Sequence, residues 1–257
     1  MRFVPLAIFW IALFSSCKSD NRKVELPDSI VEGNISLDTT FNGLIRFYNK
    51  KNGKLELEAN YANDVLQGSY TEYYHNGNVR SKGERKSGEL YGPVSFFDTS
   101  GQLFQTQYSY FGLRCGPSVH YAFGKPVEFF FYSLDGAELM HINCDSLKST
   151  RVEDMNSNQF FFFHTSDYSS DFKLTKRQTE LFVYLPNPPH LAMKYSVCIT
   201  DAKGVIVRTV ENLASELPWK TIELNKDDLQ PGQLFCLALE AENQLRDDGK
   251  VTMLKRL

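Results

Sequence analysis

Four glycines, Gly43, Gly68, Gly92 and Gly116, recur at intervals of 25, 24 and 24 residues, and no other feature narrows the choice of fold as much. After each comes a short run ending in an aromatic pair or its counterpart: Phe47-Tyr48, Tyr73-Tyr74, Phe96-Phe97 and His120-Tyr121. A turn with a second glycine follows, at Gly53, Gly77, Gly101 and Gly124. A branched apolar residue comes two places later in the first three units, at Leu55, Val79 and Leu103, and one place later still in the fourth, at Val127. A fixed period of this kind marks a unit that cannot bury its apolar face alone and stacks on copies of itself. Tight hairpin turns need positive φ, which glycine adopts without steric cost. Each unit is therefore expected to be a β-hairpin. One hairpin is marginal in water, whereas several stacked into a continuous single-layer sheet bury a common face. Residues 129–142 repeat the aromatic–turn–Gly–Leu order as a fifth half-unit, and a strand near 34–40 is a candidate start.

Composition agrees with an all-β chain. The 20 Phe and 13 Tyr cluster in short runs flanked by Asn, Gly, Asp and Ser, the pattern of strands separated by turns. The best helical candidate, 212–217, amounts to one turn stopped by Pro218. The aromatic array has two readings: cross-strand packing on both faces, or a platform on which a sugar or a peptide strand stacks.

With its aromatic pairs, Asn-Gly type turns and terminal glycines, the stretch 33–143 resembles the bacterial MORN-repeat variant of YwqK-like proteins. The units lack the Tyr-x-Gly-x-Trp core of eukaryotic MORN repeats, so the lipid binding proposed for that group is not carried over. The resemblance also brings the label antitoxin, which conflicts with the export signal described below.

A polar, turn-rich linker is placed at 144–158. Apolar and branched runs then recur at 159–165, 180–185, 194–200, 205–210, 220–224, 233–241 and 250–254, with turns at 201–204 and at Pro231-Gly232. About seven strands in about 100 residues predict a β-sandwich of immunoglobulin or fibronectin type over 159–257. DLQPGQLFCLAL resembles the turn-then-strand segment at the end of such domains, with Phe235 where they usually carry a corner tyrosine.

The chain opens MRFVPLAIFWIALFSSC: one basic residue, an apolar run from Val4 to Phe14, then Ser15-Ser16 and Cys17. This reads as a secretory signal over 1–16, and the run falls short of the roughly 20 residues a permanent membrane helix needs. The segment resembles a bacterial lipobox, with Phe14 where leucine is usual. The resemblance implies that Cys17 is diacylated at sulfur, freed by signal peptidase II and acylated on its new amine. Each buried methylene contributes about 0.8 kcal/mol, so several acyl chains anchor a protein durably. Residues 17–32 are expected to be the lipidated cysteine and a tether. The protein is thus expected in the bacterial envelope, lipid-anchored to the (outer) membrane. Lys18 and Asp20 match only partly the lysine-then-acidic pattern of surface-directed lipoproteins, which leaves periplasmic and surface faces both open.

Cys115, Cys144, Cys198 and Cys236 are an even number for an oxidising compartment, which allows disulfides without fixing their pairing; Cys198 and Cys236 flank Trp219, but their separation of 38 is too short for the immunoglobulin Cys–Trp–Cys pattern. No Cys-x-x-Cys metal pair, P-loop, dinucleotide fingerprint, nucleophile elbow or His-Glu-x-x-His occurs. His75, His120, His141, His164 and His190 lie in different units without ligand spacing. Asp227-Asp228 and Asp247-Asp248 read as solvated turns. A net charge of −3 with interspersed signs gives no basic stripe for nucleic acid. The expectation is a non-enzymatic binding or scaffold lipoprotein with no catalytic residue, metal or cofactor. It would hold the membrane through Cys17 and bind an unknown envelope protein or glycan. The alternative is a YwqK-like antitoxin or immunity protein; an enzyme acting on carbohydrate or peptide ranks last.

Overall fold

The computed structural model describes residues 21–148, 160–165, 178–246 and 249–257. The expected leader, Cys17, most of the expected linker and Asp247-Asp248 lie outside them. The described chain is all-β, and its only helices are short 3-10 turns, at Ser146–Lys148 and Lys226–Asp228. The best helical candidate, 212–217, is not a helix: Asn212 and Leu213 end a strand, paired with Ser196 and Tyr195.

One antiparallel sheet takes up the first half in unbroken chain order. Its strands are β1 (Asn21–Glu25), β2 (Ser29–Ile35), β3 (Phe41–Asn49), β4 (Leu55–Ala62), β5 (Val65–Tyr73), β6 (Val79–Lys86), β7 (Glu89–Phe97), β8 (Leu103–Tyr110), β9 (Leu113–Ala122), β10 (Lys125–Tyr132) and β11 (Glu138–Asn143). The sheet begins earlier than the sequence suggested. Much of the expected tether is strand, held by the β1–β2 ladder and by ion pairs Lys23–Glu32 at 3.1 Å and Lys50–Glu25 at 3.0 Å.

The period of the glycines has a structural cause. At Gly68, Gly92 and Gly116 the register with the preceding strand slips, so that three residues stand opposite one: 67–69 face Asn60, 92–94 face Gly83 and 115–117 face Tyr108. All three glycines have positive φ, which a bulge of this kind demands and side-chain-bearing residues resist. A second slip per unit leaves Glu56, Arg80 and Phe104 unpaired just after the longer turns. In the fourth unit the turn is shortened to Phe123-Gly124, both at positive φ, and the unpaired residue becomes Val127. The unpaired residue stands three places after the turn glycine in all four units, so the branched residue that comes one place later in the fourth unit occupies the bulge itself. Neighbouring units are tied turn to turn: Asn76 and Asn78 both donate to the Thr99 carbonyl, and the Tyr74 hydroxyl donates to that of Phe97 at 2.8 Å.

Directly opposed residues share a face, so the ladders define one unbroken row across all eleven strands. It runs Val24, Val31, Phe47, Leu57, Glu72, Ser81, Phe96, Gln105, His120, Glu128, Asn143. The row next to it, on the other face, runs Lys23, Glu32, Arg46, Glu58, Thr71, Lys82, Ser95, Thr106, Val119, Phe129, Ile142. The two rows exchange character along the array. The first goes from apolar to polar and the second from charged to apolar.

That exchange is matched by what covers each face. At the start a small cluster of Val31, Ile35 and Ile45, with Phe41, Phe47 and Tyr61 against it, lies on the first face. At the end, Phe129, Phe131 and Met140 on the second face join a large core with the remaining strands. Those strands are β12 (Phe163–Thr165), β13 (Gln178–Tyr184), β14 (Leu191–Thr200), β15 (Ile206–Leu213), β16 (Trp219–Asn225), β17 (Leu234–Asn243) and β18 (Lys250–Arg256). They form two antiparallel sheets, ordered β12-β13-β16 and β15-β14-β17-β18. Leu181, Val183, Ile222 and Leu224 from one sheet share the core with Val197, Ile199, Leu237 and Leu239 from the other.

The joint between the halves is aromatic. Trp219 meets Tyr110 edge-on at 5.3 Å and Tyr108 at 5.9 Å, and stacks on Phe182 at 6.1 Å. The Tyr184 hydroxyl accepts from the backbone N–H of Leu134. Cys144 and Leu147, placed in the expected linker, are buried in the same core, and Asn243 donates to the Leu147 carbonyl at 2.8 Å.

Burial here has a consequence for pH. Desolvation pushes the Cys115 thiol up to about 12 from an ordinary 9.0, and the Tyr108 phenol up to about 12 from 10.0. Tyr195 is also raised, by burial. The fold therefore binds protons more tightly than the unfolded chain does. Its stability is whole below the unfolded values and is lost as pH rises through them toward 12. The urea midpoint should stay level to about pH 8 and then fall steadily, given ordinary thiol and phenol pKa values. A midpoint unchanged through strongly alkaline pH would contradict this account.

Candidate functional site

The second half covers one face of β9, β10 and β11; the other carries polar residues together with Phe130 and Tyr132, and of these Ser118 and Tyr132 are buried. On it the pairing Gln105↔His120↔Glu128↔Asn143 runs across four strands. The next row carries Gln107, Ser118, Phe130 and His141. Gln105 reaches Ser118 at 3.3 Å, and Gln107 reaches Ser109 at 3.2 Å.

Glu128 is the hub. One carboxylate oxygen lies 3.2 Å from His120 Nδ1 and the other 3.4 Å from His141 Nε2. All three side chains are partly exposed. Phe130 stands between the histidines: His141 stacks on its ring at 4.3 Å with planes 11° apart, and His120 lies at 5.1 Å. Tyr132 continues the stack at 6.2 Å and carries the Arg114 guanidinium at 4.0 Å. Along this stripe the aromatics pack across strands, and the partly exposed polar groups are the amides, imidazoles and the carboxylate.

The histidines bind opposite oxygens, so their nitrogens do not converge on a shared point. Among the described residues no group of three or more His, Cys, Asp or Glu is arranged to hold a metal ion. His75, 4.0 Å from Glu56, and His190, in a turn at φ 68°, stand apart from this cluster; the His164 side chain lies outside the described residues. A separate cleft of about 700 Å³ opens at the joint, lined by Leu134, Leu139, Phe161, Phe162, Tyr184 and Lys255 among others. It is mainly apolar and belongs to the packing between the halves.

The four described cysteines are free and buried. Cys115 and Cys144 lie in the large core, whereas Cys198 and Cys236 stand directly opposite one another on β14 and β17, outside that core. Cys17 lies outside the described residues. Sequence reasoning did not find the His120–Glu128–His141 cluster. Its members sit on three consecutive strands, and only the register, including the slip at Val127, brings them together.

No known protein family matches this chain, and no curated protein matches its sequence. Among solved structures the chain is similar to the GtfA/B complex bound to UDP and GlcNAc, at 10% identity and a TM-score of 0.30, covering 47% of this chain and 25% of that one. It is also similar to accessory secretory protein 1, 2 and 3 in Streptococcus pneumoniae, at 13% identity and a TM-score of 0.25, covering 48% and 20%. The chain thus spans a quarter or less of either structure's length.

Proposed function

We propose that this chain is a lipid-anchored protein of the bacterial envelope that binds a glycan, without catalysis, on the open face of β8 to β11. The observation that carries the binding reading is the exchange of faces along the array. The C-terminal strands bury the apolar face and leave a partly exposed polar stripe, Gln105, Gln107, His120, Glu128 and His141, on the other. Hydrogen-bonding groups with few free apolar rings suit a polyhydroxylated partner better than an apolar peptide, which needs buried anchors. The placement rests on the leader and Cys17, which acyl chains would hold to the membrane.

In this reading the hairpin array is a MORN-repeat variant. Its support is the 24-residue period, carried by a bulge glycine in each unit. The two smaller sheets are the halves of an immunoglobulin-like sandwich, supported by seven strands and the apolar residues they contribute to one core.

Two measurements test the proposal separately. Metabolic labelling with a fatty-acid probe should mark the wild type and not Cys17→Ala, with label in the membrane fraction; unlabelled cytosolic protein would defeat the placement and favour the antitoxin alternative. In binding assays against immobilised envelope polysaccharides, Glu128→Ala should weaken retention at least tenfold, with the urea midpoint little changed. Equal retention of the folded variant and wild type would defeat the assignment of the face.

A further inference from the structure

We propose that Cys198 and Cys236 form a disulfide bond, a cross-strand bridge inside one sheet, when the folded protein meets a disulfide oxidant. The ladder between β14 and β17 runs from Leu191↔Asn243 to Thr200↔Leu234 without a slip, and it sets Cys198 directly opposite Cys236. Opposed residues in an antiparallel ladder share a face with Cα atoms about 4.5–5.5 Å apart, within the roughly 4.4–6.8 Å that disulfides span. Position along the ladder narrows this further. Gln244 donates its N–H to the His190 carbonyl at 2.8 Å, so even-numbered residues of β14, Cys198 included, fall in the hydrogen-bonded pairs, with Cα atoms about 5.5 Å apart, and closing the bond draws their wider-set Cβ atoms together.

The remaining pairings are closed off by the fold. Cys144 follows β11 and bonds Val127 at one end of β10. Cys115 precedes Gly116, which is opposite Tyr132 at the other end. About five residues of strand, roughly 17 Å, separate those ends. Both thiols also lie in the core that Val197, Ile199, Phe235 and Leu237 enter from the opposite face of the β14–β17 pair. Cys198 and Cys236 face the other way, among hydroxyls: Ser196 and Thr209 lie 3.4 and 3.8 Å from the first sulfur, and Thr200 lies 3.4 Å from the second. Thr209 belongs to β15, an edge strand exposed along nearly its whole length. Local opening of that edge uncovers Cys198 without disturbing the core.

The chemistry is thiol–disulfide exchange with a protein disulfide oxidase or glutathione disulfide. One cysteine thiolate attacks a sulfur of the oxidant, a mixed disulfide forms, and the first oxidant thiolate leaves. The second cysteine thiolate then attacks the mixed disulfide, the Cys198–Cys236 bond closes, and the second oxidant thiolate leaves. Two electrons pass to the oxidant, and the two protons given up by the cysteines end on its thiols.

The test uses the purified full chain and does not depend on where it resides in the cell. The protein is incubated with glutathione disulfide, unfolded in urea without reductant, alkylated and digested with trypsin. The expected product is peptide 195–203 joined to peptide 227–246, two hydrogens lighter than their sum and separated by reductant. In Cys198→Ser, Cys236 should be found alkylated or carrying a single glutathione, with no crosslinked peptide. Alkylation of both cysteines in the oxidised wild type, or a crosslink of either to Cys115 or Cys144, would overturn the proposal. So would a crosslink of Cys236 to another cysteine of the chain in the variant.

Discussion

Replacing Trp219 with alanine should cost about 3–5 kcal/mol of unfolding free energy, the range for deleting a large buried aromatic. Trp219 begins β16, is buried, and touches both sides of the joint: Tyr108 and Tyr110 on β8, and Phe182 on β13. Its loss opens a cavity where the long sheet meets the smaller ones, and each ring pair removed takes roughly 0.5–1.5 kcal/mol beyond area alone. Domains are stable by only about 5–15 kcal/mol, so the variant should unfold at much lower urea. Trp219 is one of two tryptophans, and the other, Trp10, lies in the expected leader. Native fluorescence of a leaderless chain therefore reports on this joint, and unfolding of the variant is followed by circular dichroism. Phe104→Ala, at a residue 42% exposed, is the control and should stay within about 0.5 kcal/mol. A loss below about 1 kcal/mol for Trp219→Ala would mean that the halves do not depend on this contact.

Gly116→Ala should rank next. Gly116 has φ of +62°, and a methyl group there would sit 2.5 Å from Pro218 Cγ and 3.0 Å from its Cβ. Gly92 occupies the same place in the preceding unit, at φ +81° with nothing within 4 Å. The pair separates two costs. Gly92→Ala carries only the left-handed backbone penalty of about 1–2 kcal/mol. Gly116→Ala adds overpacking of about 1–3 kcal/mol. Pro218→Ala in the Gly116→Ala background removes the nearer clash and should restore part of the difference, a coupling of about 0.5–3 kcal/mol in a double-mutant cycle. Equal losses for the two glycine variants, with no coupling to Pro218, would show that the joint yields without cost.

Much of the local structure was legible beforehand. The glycine period, the aromatic pairs and the turns located β3 through β11, and the seven later runs coincide with β12 through β18. The turn at 201–204 closes as expected, with the Asp201 carboxylate accepting from the N–H groups of Lys203 and Val205. The start of the array was harder to see. Residues 21–35 have few large apolar side chains, and their pairing depends on the neighbouring strand β3 and on ion pairs. The helical candidate at 212–217 is not a helix for a related reason: its propensity was local, while Tyr195 and Ser196 offered a ladder.

The sequence by itself determined the class of structure and the rhythm of the hairpins. Strand alternation, turn glycines and aromatic endings act over a few residues, and a fixed period repeats them. Tertiary structure alone decided which face of each strand was buried. The bulges shift the register by amounts that no single strand announces, and a slip of one residue moves every side chain to the other side of the sheet. The exchange of faces along the array, the meeting of His120 and His141 at Glu128 and the opposition of Cys198 to Cys236 all follow from accumulated register. So does the seat of Trp219 between the halves. They are sums over many long-range pairings, and a linear reading has no term for them.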